Sequence, residues 1–149
     1  MPKSTKTNSI SYRKGNEGLD LDQVLALFTA STLGERRPMQ NRKVMQAMLD
    51  KADLIITAWS DDELIGIARS LTDFSYVAYL ADLAVHQDFQ KLGIGKELIE
   101  QTRIHLEPTC MITLLSAPLA NEYYPKIGFT HHPRAWNLAP LRDPDLPSD

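Results

Sequence analysis

Between Leu19 and Thr32 the apolar residues Leu21, Val24, Leu25 and Phe28 recur at the spacing of one helix face, and Asp20 and Asp22 sit where the helix dipole favours negative charge. Gly34 ends this helix. Arg36-Arg37-Pro38 makes a turn, and Val44, Met45, Met48 and Leu49 mark a second helix from about Gln40 to Lys51. The pattern then changes period. Leu54 to Trp59 predicts a strand, Ser60-Asp61-Asp62 a turn, and Glu63 to Arg69 its hairpin partner. Val77 to Val85 is nearly continuous in apolar and small residues apart from Asp82, which predicts a central strand covered on both faces. After Gly93-Ile94-Gly95 a helix runs to about Leu106, with Leu98, Ile99, Thr102 and Leu106 on one face and Ile104 off it. Pro108 stops that helix. Met111 to Leu115 then predicts a buried strand, Leu119 to Lys126 a short helix, and Phe129 to Leu138 a last strand or hairpin. At the other end, Ile10 to Arg13 predicts a short edge strand.

Strands and helices mix along the chain, so the expected fold class is a mixed α/β layer domain over residues 10–139. Residues 1–9 are polar and aperiodic and are expected to fray, and residues 140–149 to form a flexible tail. A length of 149 residues with 43% hydrophobic positions suits one such domain and no more. The charge balance narrows the partners: 16 Lys and Arg against 19 Asp and Glu give a net charge of −3, so no general basic field attracts nucleic acid or an anionic membrane. Cys110 is the single cysteine, no Cys/His grouping has zinc-site spacing, and the expectation is a metal-free protein of a reducing compartment. No apolar run approaches the roughly 20 residues that span a bilayer, and the polar start lacks a signal-peptide core. A cytoplasmic location is expected.

The chemistry-bearing feature is the glycine turn. A strand, then Gly93-x-Gly95, then a helix suits an anion such as phosphate, because glycine lets the backbone approach and the free N–H groups of a helix start point outward. A tight turn with one glycine needed for packing is the competing reading. Two nucleotide motifs are excluded. A triphosphatase loop fails because Glu97 follows Lys96 and Lys91 stands where its first glycine belongs, and a dinucleotide turn fails because Leu98 takes the third glycine's place.

The turn does fit Q-x-x-G-x-G, with Gln90, Gly93 and Gly95 in place, and here the chain resembles the GCN5-related N-acetyltransferase family. Leu83-Ala84-Val85 lies just upstream like that family's fourth strand. About thirty residues on, Tyr123-Tyr124-Pro125-Lys126-Ile127-Gly128-Phe129 resembles its aromatic-Tyr-x-x-x-Gly-Phe segment. The similarity of element order covers roughly Ile10 to Leu138 and is weakest over the first two helices.

The resemblance implies a mostly antiparallel twisted sheet with helices on both faces and an acetyl-CoA cleft between splayed central strands. It implies that Leu83, Ala84 and Val85 present backbone groups to the pantetheine arm, with an N–H near Val85 facing the developing oxyanion. By the same likeness the N–H groups of Lys91, Leu92, Gly93, Ile94, Gly95 and Lys96 receive the pyrophosphate, and Gln90 braces the turn. Tyr124 matches the tyrosine that protonates the CoA sulfur, while Tyr123 fills a position usually packed in the core. Where many relatives carry asparagine this chain has Ala117, and Asn121 is the residue that would reach the pantetheine amide instead. The implied reaction is transfer of an acetyl group to a primary amine of a small molecule or peptide by direct attack.

The proton acceptor is less legible. Tyr79, Asp82 and Glu122 are the candidates, with Asp82 better read as a hydrogen-bonded structural carboxylate. His131 and His132 are adjacent on an extended stretch and point to opposite faces, which does not suit one metal ion. Arg36 and Arg37 lie where relatives shape the acceptor pocket and suit an acidic substrate or a solvated loop; Trp59 and Trp136 are read as packing residues. Two other classes compete with the enzyme: a CoA-binding module without catalysis, and an interaction domain without cofactor. Relatives often pair through late strands, so a homodimer is the assembly the likeness allows.

Overall fold

In the computed structural model, which describes residues 10–146, the predicted hairpin forms from β2 (Leu54–Ser60) and β3 (Glu63–Thr72), its turn carried by Asp61 at a positive φ of 51°. The start expected to fray, 1–9, and the last three residues of the expected tail, 147–149, lie outside the described residues. β1 (Ile10–Lys14) pairs antiparallel with β2, β4 (Val77–Val85) antiparallel with β3, and β5 (Met111–Thr113) parallel with β4. The sheet runs β1-β2-β3-β4-β5.

Helices α1 (Leu21–Ser31) and α2 (Arg42–Asp50) seal one face, packing Val24, Leu27, Phe28, Met45 and Leu49 against Ile55, Ile67 and Ala84. Helix α3 (Ile94–Ile104) seals the other, where Leu98 and Ile99 meet Ile56, Ala58, Ile65 and Leu80. Gly66 permits the close approach of α3: a Cβ there would lie 3.1 Å from Leu98 Cδ1 and 3.2 Å from Ala58 Cβ. Asn41 caps α2, its side chain accepting from the Val44 N–H and donating to the carbonyls of Pro144 and Leu146, so residues 144–146 are tied to the α2 N-terminus. Trp59 is buried as expected, with Arg13 stacked 4.2 Å from its ring centre.

Several expectations are corrected. β4 is not covered on both faces: Ala78, Leu80, Asp82 and Ala84 are buried while Val77 and Tyr79 are 41% and 38% exposed. β5 is a short edge strand with Met111 exposed, because it pairs on one side only. Phe129 to Leu138 forms no strand, and Trp136 is 90% exposed rather than packed. Pro133 explains the loss, since it removes a ladder donor midway along that segment. The predicted helix at Leu119 to Lys126 divides into a 3-10 turn, Pro118–Ala120, and α4 (Tyr123–Lys126).

The loop from β3 to β4 is held by Asp73, whose Oδ1 accepts from the N–H groups of Ser75 at 3.0 Å, Tyr76 at 2.8 Å and Val77 at 3.1 Å. These donors, Tyr76 foremost, hold the Asp73 carboxyl below its ordinary pKa. A depressed folded pKa contributes stability that is present above the unfolded value near pH 4 and lost as pH falls through the folded one. Thermal melts should therefore place Asp73→Ala below wild type at neutral pH, with the gap narrowing below about pH 4. A gap that stays constant down to acid pH would show that the carboxylate charge contributes nothing.

Candidate functional site

The site begins with a one-residue irregularity in β4. The register pairs Arg69 with Asp82 and the next residue, Ser70, with Leu80, leaving Ala81 unpaired as a β-bulge. The extra residue turns Asp82 to the same face as Tyr79, whereas an unbroken strand alternation would set them on opposite faces. Arg37 fastens the bulge: its Nε donates to Asp82 Oδ1 at 2.6 Å and its Nη2 to the Ala81 carbonyl at 2.8 Å. The second carboxylate oxygen accepts from Arg69 Nε, and Arg69 Nη1 donates to the Met48 carbonyl of α2 at 3.3 Å. Asp82 is fully buried with both oxygens engaged by guanidinium groups, so it has no lone acceptor turned to a substrate.

Beyond Tyr79 and Thr113, the last paired residues, β4 and β5 part. His86 N–H donates to Ile65 O on β3 at 2.8 Å, and strand alternation then turns the backbone groups of Leu83 and Val85 away from β3, toward the opening. Ala84, between them, faces its backbone to β3 and its side chain into the core under α1. Gln90 Nε2 donates to the Val85 carbonyl at 3.0 Å, tying the end of β4 to the turn that starts α3.

In that turn Lys91 and Gly93 both have positive φ, 66° and 84°, and Gly93 is the N-cap of α3. No atom lies within 4 Å of where a Gly93 Cβ would project, so the turn that runs from Lys91 through Leu92, Gly93, Ile94 and Gly95 to Lys96 borders open space at Gly93, while at Gly95 it is approached by Tyr123 and Val85. Ile94 is buried and anchors the turn, while both lysines are exposed. The N-terminus of this eleven-residue helix, capped by a glycine with open space beside it, has the free N–H groups that suit an anion.

The two tyrosines of α4 divide differently from the sequence reading. Tyr123 is not core but 37% exposed, and its hydroxyl lies 3.5 Å from where a Gly95 Cβ would sit, beside Val85. Tyr124 is half-buried, its ring edge-on to Tyr123 at 5.3 Å and to Phe129 at 5.4 Å. Burial raises the pKa of both phenols, and for Tyr124 the neighbouring Tyr123 adds to the rise, so both hydroxyls keep their protons at neutral pH. Asn121 Oδ1 accepts from Ser116 Oγ at 3.1 Å, at the same edge of the opening as Ala117. Glu122 is exposed at the N-cap of α4. His131 and His132 are exposed, and among the described residues no group of three or more His, Cys, Asp and Glu side chains has metal-site geometry.

On the α1 and α2 side of the sheet an open pocket of about 350 Å³ reaches the same gap. Tyr79 and Ala81 of β4, Ser116 and Ala117 after β5, and Arg36 and Arg37 of the α1–α2 connection border it. The pocket and the glycine turn thus lie on opposite faces of the sheet and meet where β4 and β5 separate.

Comparison with known proteins bears on the family and the fold. Residues 28–136 match the model of the acetyltransferase (GNAT) domain, and the chain belongs to that family. An uncharacterized N-acetyltransferase, ycf52, of Pyropia yezoensis is 30% identical over 97 residues, covering 64% of this chain and 52% of the relative. The chain therefore spans about half the length of that relative. A GNAT-family acetyltransferase from Streptococcus pneumoniae TIGR4 superposes with a TM-score of 0.70 at 21% identity, over 90% of this chain and 99% of the other. The aminoglycoside N-acetyltransferase AAC(6')-Iy in complex with CoA superposes with a TM-score of 0.69 at 18% identity, over 89% and 95%. The fold is that of these structures: a mixed, mostly antiparallel sheet with helices on both faces. Among the described residues no helix is long and apolar enough to cross a membrane.

Proposed function

We propose that the chain is an acetyl-CoA-dependent N-acetyltransferase in which cofactor and acceptor enter from opposite faces of the sheet and react in the gap between β4 and β5. The observation that carries this reading is the meeting, at one strand opening, of a helix N-terminus open at Gly93 and a pocket on the other face. Bound acetyl-CoA would supply an activated acetyl thioester. The N–H groups from Lys91 to Lys96 would hold its pyrophosphate, and Leu83 and Val85 its pantetheine amides, assisted by Asn121. The outward N–H of Val85 is the donor assigned to the oxyanion, and Tyr124 the acid assigned to the departing sulfur. For the acceptor, the guanidinium groups beside the pocket disfavour an ammonium ion, so the neutral amine that attacks forms without a strong base. Tyr79, on the same wall, and Ser116 are the hydroxyl-bearing residues that line the pocket.

The cofactor placement is tested by calorimetry with CoA. Gly93→Val should weaken CoA binding about tenfold or more, since the protein offers no clash of its own there and the added side chain enters the space assigned to phosphate. Valine at positive φ also strains the backbone by roughly 1–2 kcal/mol. Gly93→Asn, which tolerates that conformation better, is the folded control and should weaken binding in the same direction. Undiminished affinity in both folded variants would remove the cofactor from this turn.

A further inference from the structure

We infer that the acceptor is an amine that also carries a carboxylate, and that Arg36 recognises it; this rests on the acetyl-transfer reading above. The pocket wall contains Arg36, Arg37 and Arg69 and no acidic side chain. Asp82, buried behind it, neutralises one guanidinium, and three arginines against one carboxylate leave two positive charges in excess. The three arginines are not equivalent. Arg37 spends Nε on Asp82, Nη1 on the Arg36 carbonyl and Nη2 on the Ala81 carbonyl, while Arg69 is held by Asp82 and Met48. Arg36 is exposed and forms no ion pair with a described residue, although its own carbonyl is bound by Arg37. Its backbone is thus fixed and its five N–H donors stay available to a planar anion.

The same wall rejects a polycation. An acceptor such as an aminoglycoside carries several ammonium groups, which need carboxylates around them, and here each would face like charge instead. The structural likeness to aminoglycoside acetyltransferases therefore extends to the fold and stops at the pocket. A zwitterionic acceptor, an amino acid or the end of a peptide with a carboxylate a few bonds from the amine, sets its anion on Arg36 and its amine toward the strand gap.

The test measures CoA release with matched acceptors: amino acids, their uncharged amides, and an aminoglycoside. The carboxylate form should have a kcat/KM about five- to tenfold above its amide, the effect of one partly exposed charge-assisted contact, and the aminoglycoside should be the poorest. Arg36→Gln should bring the acid-to-amide ratio close to one and Arg36→Lys should retain most of it, while a merely structural Arg36 would leave the ratio unmoved. Equal use of acid and amide, or a preference for the aminoglycoside, overturns the acceptor class and leaves acetyl transfer standing. Should no acceptor release CoA, the acetyl-transfer reading fails, and calorimetry decides the pocket separately. N-acetylated amino acid titrated into CoA-saturated protein should bind more tightly than its amide in wild type and not in Arg36→Gln, and the absence of that difference overturns the proposal.

Discussion

Asp82→Asn is expected to lower the free energy of unfolding by about 3 kcal/mol, the effect of breaking a buried ion pair from one side. The neutral side chain would leave the guanidinium groups of Arg37 and Arg69 facing each other without the charge that holds both. It would also set an amide N–H against one of these donors. For a chain of this length the change amounts to a fall of roughly 10 °C in melting temperature, read by calorimetry or by denaturant titration. The variant's turnover per folded molecule should stay within a few-fold of wild type at low temperature, because neither carboxylate oxygen is turned to a substrate. A loss of 10²-fold or more in kcat with an unchanged melting temperature would reverse the assignment and make Asp82 the base.

Tyr124→Phe separates binding from chemistry. If its hydroxyl protonates the departing sulfur, kcat should fall by roughly 10²-fold while CoA affinity changes by no more than a few-fold. The raised pKa adds a pH signature: the acid form persists above the ordinary tyrosine value near 10, so wild-type kcat should show no alkaline loss from this group below about pH 10. Tyr123→Phe is the necessary comparison, since that hydroxyl stands nearer the glycine turn. Its removal should weaken CoA binding more than turnover. The opposite pattern, with Tyr123→Phe losing kcat and Tyr124→Phe losing only stability, would transfer the acid role to Tyr123.

The sequence made some of this legible and hid the rest for identifiable reasons. Helices α1 to α3 follow from local periodicity, because each has one buried face whose period survives in the residues themselves, whereas β2 and β3, buried on both faces, are legible as two mainly apolar runs joined by a polar turn. The glycine turn is readable because a positive φ restricts residue choice at Gly93. The bulge at Ala81 left no such mark: Tyr79-Leu80-Ala81-Asp82 contains no glycine, and an apolar run conceals which residue lacks a partner. The contacts of Asp82 with Arg37 and Arg69 were equally hidden, since they join residues 45 and 13 positions apart that meet only when the sheet and the helical connection assemble. At Phe129 to Leu138 the sequence carries the contrary signal itself, because Pro133 argues against a paired strand. The roles of Tyr123 and Tyr124 turn on a short helix of four residues, where a shift of one position decides which ring faces the opening.

The bond from Gln90 to the Val85 carbonyl has a thermodynamic consequence for ligand selection. Gln90 donates along one of the two lone pairs of this oxygen and leaves the second open to a ligand amide N–H. The bond also fixes the direction of the carbonyl before any ligand arrives, so less ordering remains to be done on binding. The glutamine thus acts as an aiming device: a ligand donor on the right line meets an acceptor already set, and one off that line gains nothing.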